Sequence, residues 1–204
     1  MEIKNNKEEI PFEHYLAQYQ KVDPAEASAR CFIPYDPAAG LFSFRMMGRE
    51  MTLSYPACEL TGPDLGPKEL MPAKILMVRY LTAGKFVPYS GEFKAYRDMP
   101  WGDVYSANFH GRCILRLAYG FGFNPQGFVH AMEQCSGVKS DMGDWSYTVE
   151  FLPGLFLKFI IWEGDDEFPP SSQIMFSDNF PAAFTAEDMA VVGDISIGML
   201  KRLK

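Results

Sequence analysis

The run WSYTVEFLPGLFLKFIIW, Trp145 to Trp162, limits the possible folds more than any other stretch of this chain. Apolar and polar residues alternate up to Pro153–Gly154 and alternate again beyond it, the pattern of two antiparallel strands joined by a tight turn. QIMF (173–176) supplies a third strand, so residues 144–177 read as an antiparallel meander. A strand pair this apolar has to be covered on one face by something else. A shorter hairpin pattern comes earlier, where LFSFRMM (41–47) and EMTLSY (50–55) alternate around a short loop.

Helical patterns supply the cover. Phe12 to Arg30 reads as two helical pieces, the second opened by Asp23 as N-cap and Pro24 at the first helical position. A helix is expected from about Pro72 to Ala83, ended by Gly84 and apolar almost all round, which makes it the central buried helix. Arg79 lies inside it and needs a carboxylate or carbonyl partner there. Asp103 is expected to cap a helix running through Tyr119, and Asn124 a further one to Cys135. Thr185 and Asp188 form a capping box with Asp in place of the usual Glu. It opens a helix (185–202) whose apolar stripe is Met189, Val192, Ile195 and Met199. The expectation is an α+β fold over residues 1–204, a single domain with helices packed on one face of an antiparallel sheet.

Charge and composition exclude several functions. The chain has 204 residues and a formal net charge of −7, the wrong sign for a surface that displaces counterions from nucleic acid. The most apolar segment, 151–162, contains Pro153, Gly154 and Lys158 and is too short to span a bilayer. MEIKNNKEEIPF at the start is charged and lacks an apolar signal core, so a cytoplasmic location is expected. Cys31, Cys58, Cys113 and Cys135 do not have the close pairing of zinc or iron–sulfur ligands and are expected to be reduced and buried. Nucleotide-binding glycine loops, nucleophile elbows and zinc-protease motifs are absent.

Two constellations could carry chemistry. The first is WEGDDEF, where Trp162, Glu163, Asp165, Asp166, Glu167 and Phe168 place acids beside aromatics at the bend between the second and third strands of the meander. Carboxylates there could orient a cation or a basic partner. They could also simply keep a strand connection solvated and protect its edge. Adjacent side chains point apart, so at most two acids face one point. The second constellation is NFHGRC (108–113), with His110 and Arg112 as ligand-orienting groups. Arg112 and Arg116 lie one turn apart and could grip a carboxylate or phosphate together, or pair with acids on neighbouring elements. Cys113 and His110 share a helix face only loosely, with no third group to orient them as a nucleophile pair.

The segments IWEGDDEFPP, IMFSDN and TAEDMAVVGD, with FHGR and the apolar helix before Gly84 upstream, resemble an uncharacterised prokaryotic domain-of-unknown-function family, number 3786, over residues 15–200. The resemblance implies an anaerobic context. It also implies a link to corrinoid one-carbon proteins, because some members are fused to a small four-cysteine iron–sulfur domain. This chain lacks that domain. The acidic bend and the HisGlyArg segment both belong to the family pattern.

Taken together, the expectation is a binding or accessory domain for a small molecule or a protein partner. Its site would lie where the bend 162–168 meets the helix bearing His110 and Arg112. No cofactor, metal or oligomeric state is named by the sequence. A metal-assisted hydrolase or transferase using the acidic bend is the alternative from another class, and a non-catalytic subunit of a larger assembly is the third reading.

Overall fold

The computed structural model describes the chain from Glu9 to Lys204, with side chains from Phe12 onward. The charged opening segment on which the cytoplasmic expectation rests lies largely outside the described residues. Helices α1 (Glu9–Tyr19) and α2 (Pro24–Cys31) come first. Asp23 caps α2 by accepting the Ala25 and Glu26 amides, with proline at the first position, as its sequence dictates. Strands β1 (Tyr35–Asp36), β2 (Leu41–Met46), β3 (Arg49–Ser54) and β4 (Leu60–Thr61) form a four-stranded antiparallel sheet in sequence order. Phe42, Phe44 and Met46 of β2 point inward and Ser43 and Arg45 outward, so the alternation of that hairpin is realised residue by residue.

Helix α3 (Pro67–Ala83) starts a turn and a half before the expected Pro72. Two prolines compete for the first-turn role, and Pro67, directly after the Gly66 N-cap, takes it. Pro72 then sits inside the helix, where it forgoes one backbone bond. Arg30 of α2 grips the far end of α3, donating to the carbonyls of Leu81 at 2.7 Å and of Gly84.

Beyond α3 come β5 (Phe93–Ala95), a 3₁₀ turn (Tyr96–Asp98) and one continuous helical rod. The rod is α4 (Gly102–Phe109), a π-helical turn (His110–Ile114) and α5 (Leu115–Phe121). Asp103 is not its cap, because Trp101 takes the N-cap position and Asp103 falls in the first turn, where its charge suits the helix dipole. Helix α6 (Pro125–Gln134) does start at Asn124, whose side chain accepts the Gly127 amide. Strands β6 (Val138–Lys139), β7 (Trp145–Leu152), β8 (Leu155–Trp162) and β9 (Ser171–Ser177) follow, then α7 (Phe180–Ala183) and α8 (Ala186–Leu203). The capping box of α8 is complete.

The meander belongs to a five-stranded antiparallel sheet ordered β5-β9-β8-β7-β6. Leu157, Phe159 and Ile161 of β8 are buried toward the helices, among them α5. The chain is thus one α+β domain. It has two antiparallel sheets rather than one, because the two hairpins do not pair strand to strand; a bond from the Met47 amide to the Phe151 carbonyl ties one to the other. All four cysteines are free and buried.

Candidate functional site

The π-turn decides where the functional candidates point. The Leu115 amide donates to the His110 carbonyl, one residue further back than in an α-helix, so the rod carries one extra residue. Its faces are re-aimed accordingly. Cys113 turns fully inward onto α8, its thiol donating to the Ala190 carbonyl at 3.5 Å. Gly193 of α8 permits this approach, since a Cβ there would lie 2.9 Å from the Cys113 sulfur. His110 turns outward instead, toward β9.

Arg112 does not share His110's direction. Its Nε lies 2.8 Å from Oδ2 of Asp194 on α8, and Arg116 holds the other oxygen of the same carboxylate. The two arginines one turn apart therefore do grip a carboxylate together, and it is the protein's own. Burial pushes the Cys113 thiol up to about 12 despite the opposing effect of Arg112 and Arg116, so it carries no thiolate to act as nucleophile with His110.

The acidic bend is organised around itself. Asp165 accepts the amides of Glu167 at 2.9 Å and Phe168 at 2.7 Å, which holds its carboxyl below the ordinary range. Glu163 accepts the Trp145 indole N–H, and its own amide donates to Asp144 at 2.9 Å. Asp166, Glu167 and Phe168 are exposed. Trp162 faces away from the core, one step out of register with buried Ile161. The bend docks on the far end of the rod, where the Gly164 amide donates to the Gly122 carbonyl at 3.3 Å. From there to His110 is about 18 Å of helix at about 1.5 Å per residue. Residues 162–168 do not border the groove that holds His110. Nor does any group of three or more His, Cys, Asp or Glu among the described residues sit where it could hold a metal.

His110 borders a groove of its own, of about 440 Å³, with Arg97, Ser106, Ile114, Ser172 and Gln173. The stacked rings of Tyr96 and Phe109, 4.0 Å apart, lie beneath it. The Ser172 hydroxyl donates to the Ile114 carbonyl at 2.7 Å and pins the rod to β9. The side chains of Arg97 and His110 have no partner among the described residues. β5 pairs with Met175, Phe176 and Ser177 only, so among the described residues β9 from Ser171 to Ile174 has no strand on its outer edge. Arg97, Ser172 and Gln173 were not among the candidates read from sequence. The open edge follows from the chain breaking into a 3₁₀ turn after Ala95, and no local pattern reports that.

A second cavity, of about 420 Å³, opens between Arg79, Trp101 and the start of α8. Arg79 has the partner its position demanded, with Nε 2.8 Å from Oδ1 of buried Asp188, and it also reaches the Tyr15 hydroxyl at 2.5 Å. Trp101 stands at the mouth, 76% exposed and in the left-handed region at φ 65°. The next residue, Gly102, passes so close to Tyr96 that a Cβ on it would lie 1.9 Å from the Tyr96 carbonyl oxygen.

The fold and its surface thus define an α+β domain of two antiparallel sheets, with one groove against an open strand edge and no nucleophile or metal constellation among the described residues. The chain belongs to the family described as domain of unknown function (DUF3786), whose model matches residues 23–199. No curated protein and no solved structure matches it.

Proposed function

We propose that the protein is a non-catalytic binding domain and that the groove beside His110 is its ligand site. One observation carries this reading: two polar side chains without partners among the described residues, the Arg97 guanidinium and the His110 imidazole, border a concave surface floored by aromatics and flanked by an unpaired strand edge. Concave, mostly apolar surfaces with a few convergent polar groups are what ligand sites look like. A single extra residue in the helix, the π-turn, is what aims His110 there, and such turns recur at functional positions.

Arg112, also a sequence candidate, supports the site from behind by tying the π-turn to α8 through Asp194. The residues of the bend, from Trp162 to Phe168, are proposed as a separate acidic and aromatic surface for a partner. Their link to the groove is Ser171, where β9 leaves the bend. Four buried thiols that never pair suit the reducing cytoplasm, where we place the protein.

The test is a thermal-shift screen against carboxylates, nucleotides, flavins and corrinoids, run on the wild type, His110→Ala and Arg97→Ala. The corrinoid arm carries the one-carbon link that the family resemblance implies. A ligand that stabilises the wild type and loses at least tenfold in affinity with either variant supports the reading. Ligands unaffected by both variants would contradict it.

A further inference from the structure

The open edge of β9 specifies an occupant as well as a place. The Asp178 amide donates to the Glu92 carbonyl at 3.1 Å across the β5–β9 ladder. In an antiparallel pair every second residue turns its backbone toward the same neighbour. The outward-facing residues of β9 are therefore Phe176, bonded within the ladder, and then Ile174 and Ser172, where β5 has already left. The unpaired stretch Ser171–Ile174 is about 13 Å long at about 3.3 Å per residue. It runs along the wall of the His110 groove.

The geometry points to an extended peptide, carrying at least one acidic side chain, that adds to the sheet as a short strand beside β9. This deepens the groove reading and rests on it. Backbone hydrogen bonds to Ser172 and Ile174 would supply affinity, with alternate side chains falling into the groove or away from it. Charge selects the sequence. The chain as a whole carries −7, yet this groove is bordered by the Arg97 guanidinium and the His110 imidazole and by no carboxylate, so it favours an acidic segment over a basic one. Lys158 does not border the groove and lies over the Phe93 ring, 4.4 Å from its centroid. A small carboxylate would use Arg97 and His110 and leave the strand edge idle, and it is therefore the weaker fit.

The experiment is selection of a random extended-peptide display library on the full chain, with Ser172→Pro and Ser172→Ala as comparison baits. Proline at an outward-facing position of an edge strand removes one N–H and keeps the strand. Ser172→Ala keeps that N–H and removes the hydroxyl bond to Ile114. Expected are enriched peptides with acids among alternating apolar residues. Each should bind Ser172→Ala within about threefold of wild type and lose more than tenfold on Ser172→Pro. Backbone N-methylation of a selected peptide, which does not depend on the variant folding, should abolish binding at every second position only. No enrichment over Ser172→Pro, or N-methylation effects without alternation, would overturn the strand-addition inference. If a small carboxylate alone binds in a His110-dependent way, the inference fails while the groove reading stands. If nothing of either kind binds, both fail.

Discussion

Arg79 of α3 and Asp188 of α8 meet at 2.8 Å, and the same carboxylate accepts the Thr185 amide and hydroxyl that cap α8. One buried side chain thus closes a helix end and compensates a charge in the neighbouring helix. Replacing Asp188 by Ala removes the carboxylate half of the capping box, leaving the Thr185 hydroxyl to accept the residue-188 amide, and strands a partly buried guanidinium. Together these should cost about 2 to 4 kcal/mol. Arg79→Met keeps the cap and much of the apolar stem, and should cost less than half as much. Urea unfolding of the two variants checks the order, and equal losses would contradict it.

Gly193 and Gly111 predict opposite outcomes for the same substitution. A Cβ on Gly193 would lie 2.9 Å from the Cys113 sulfur and 3.1 Å from Phe109, so Gly193→Ala should destabilise by about 1 to 3 kcal/mol. A Cβ on Gly111 meets nothing within 4 Å, so Gly111→Ala should be neutral or stabilise by up to about 1 kcal/mol through helix propensity. Thermal unfolding of both distinguishes packing from propensity.

The thiols set the alkaline limit of stability. Burial raises Cys31, Cys58 and Cys135 to about 11 and Cys113 to about 12, from 9.0. A folded-state value above the unfolded one means that the contribution is complete below pH 9 and disappears as the pH rises through the folded values. The melting temperature should therefore hold up to about pH 9 and fall steadily above it. Ellman's reagent at neutral pH should leave all four thiols unreacted until denaturant is added. Rapid native labelling would contradict the burial argument.

At the acidic bend the carboxyl of Asp165 is held down by two amides, so its contribution to the turn is present at neutral pH and lost in strong acid. Asp165→Ala should speed hydrogen exchange at the Glu167 and Phe168 amides by at least about tenfold and leave global stability almost unchanged, because the turn is exposed. Exchange read by NMR checks this. Unchanged rates at both amides would show that Asp165 does not build the turn.

What the sequence disclosed depended on how local each signal is. Asp23, Asn124 and the Thr185–Asp188 box act on amides two or three residues away, and all were readable. So was the demand of Arg79 for a carboxylate or carbonyl partner, although Asp188 as that partner was not. Both hairpins were legible from period alone. The start of α3 was missed because Pro67 and Pro72 give the same local signal. The separation of the bend from His110 was missed because it depends on the length of the rod between Phe109 and Gly122, which only the assembled fold fixes. The π-turn was hidden for a similar reason: it goes with the packing of Cys113 against Gly193 of α8, a contact between residues far apart in sequence.

The central claim is that the groove between the π-turn and the open edge of β9 is where the protein binds. Amide shift mapping of the full chain with a mixture of small carboxylates and short acidic peptides tests it most directly. The account predicts perturbations concentrated at Arg97, Ser106, His110 and Ser172 to Ile174, removed by His110→Ala. Perturbations confined to the Trp101 cavity or to the acidic bend, with Ser172 and His110 unmoved, would contradict it.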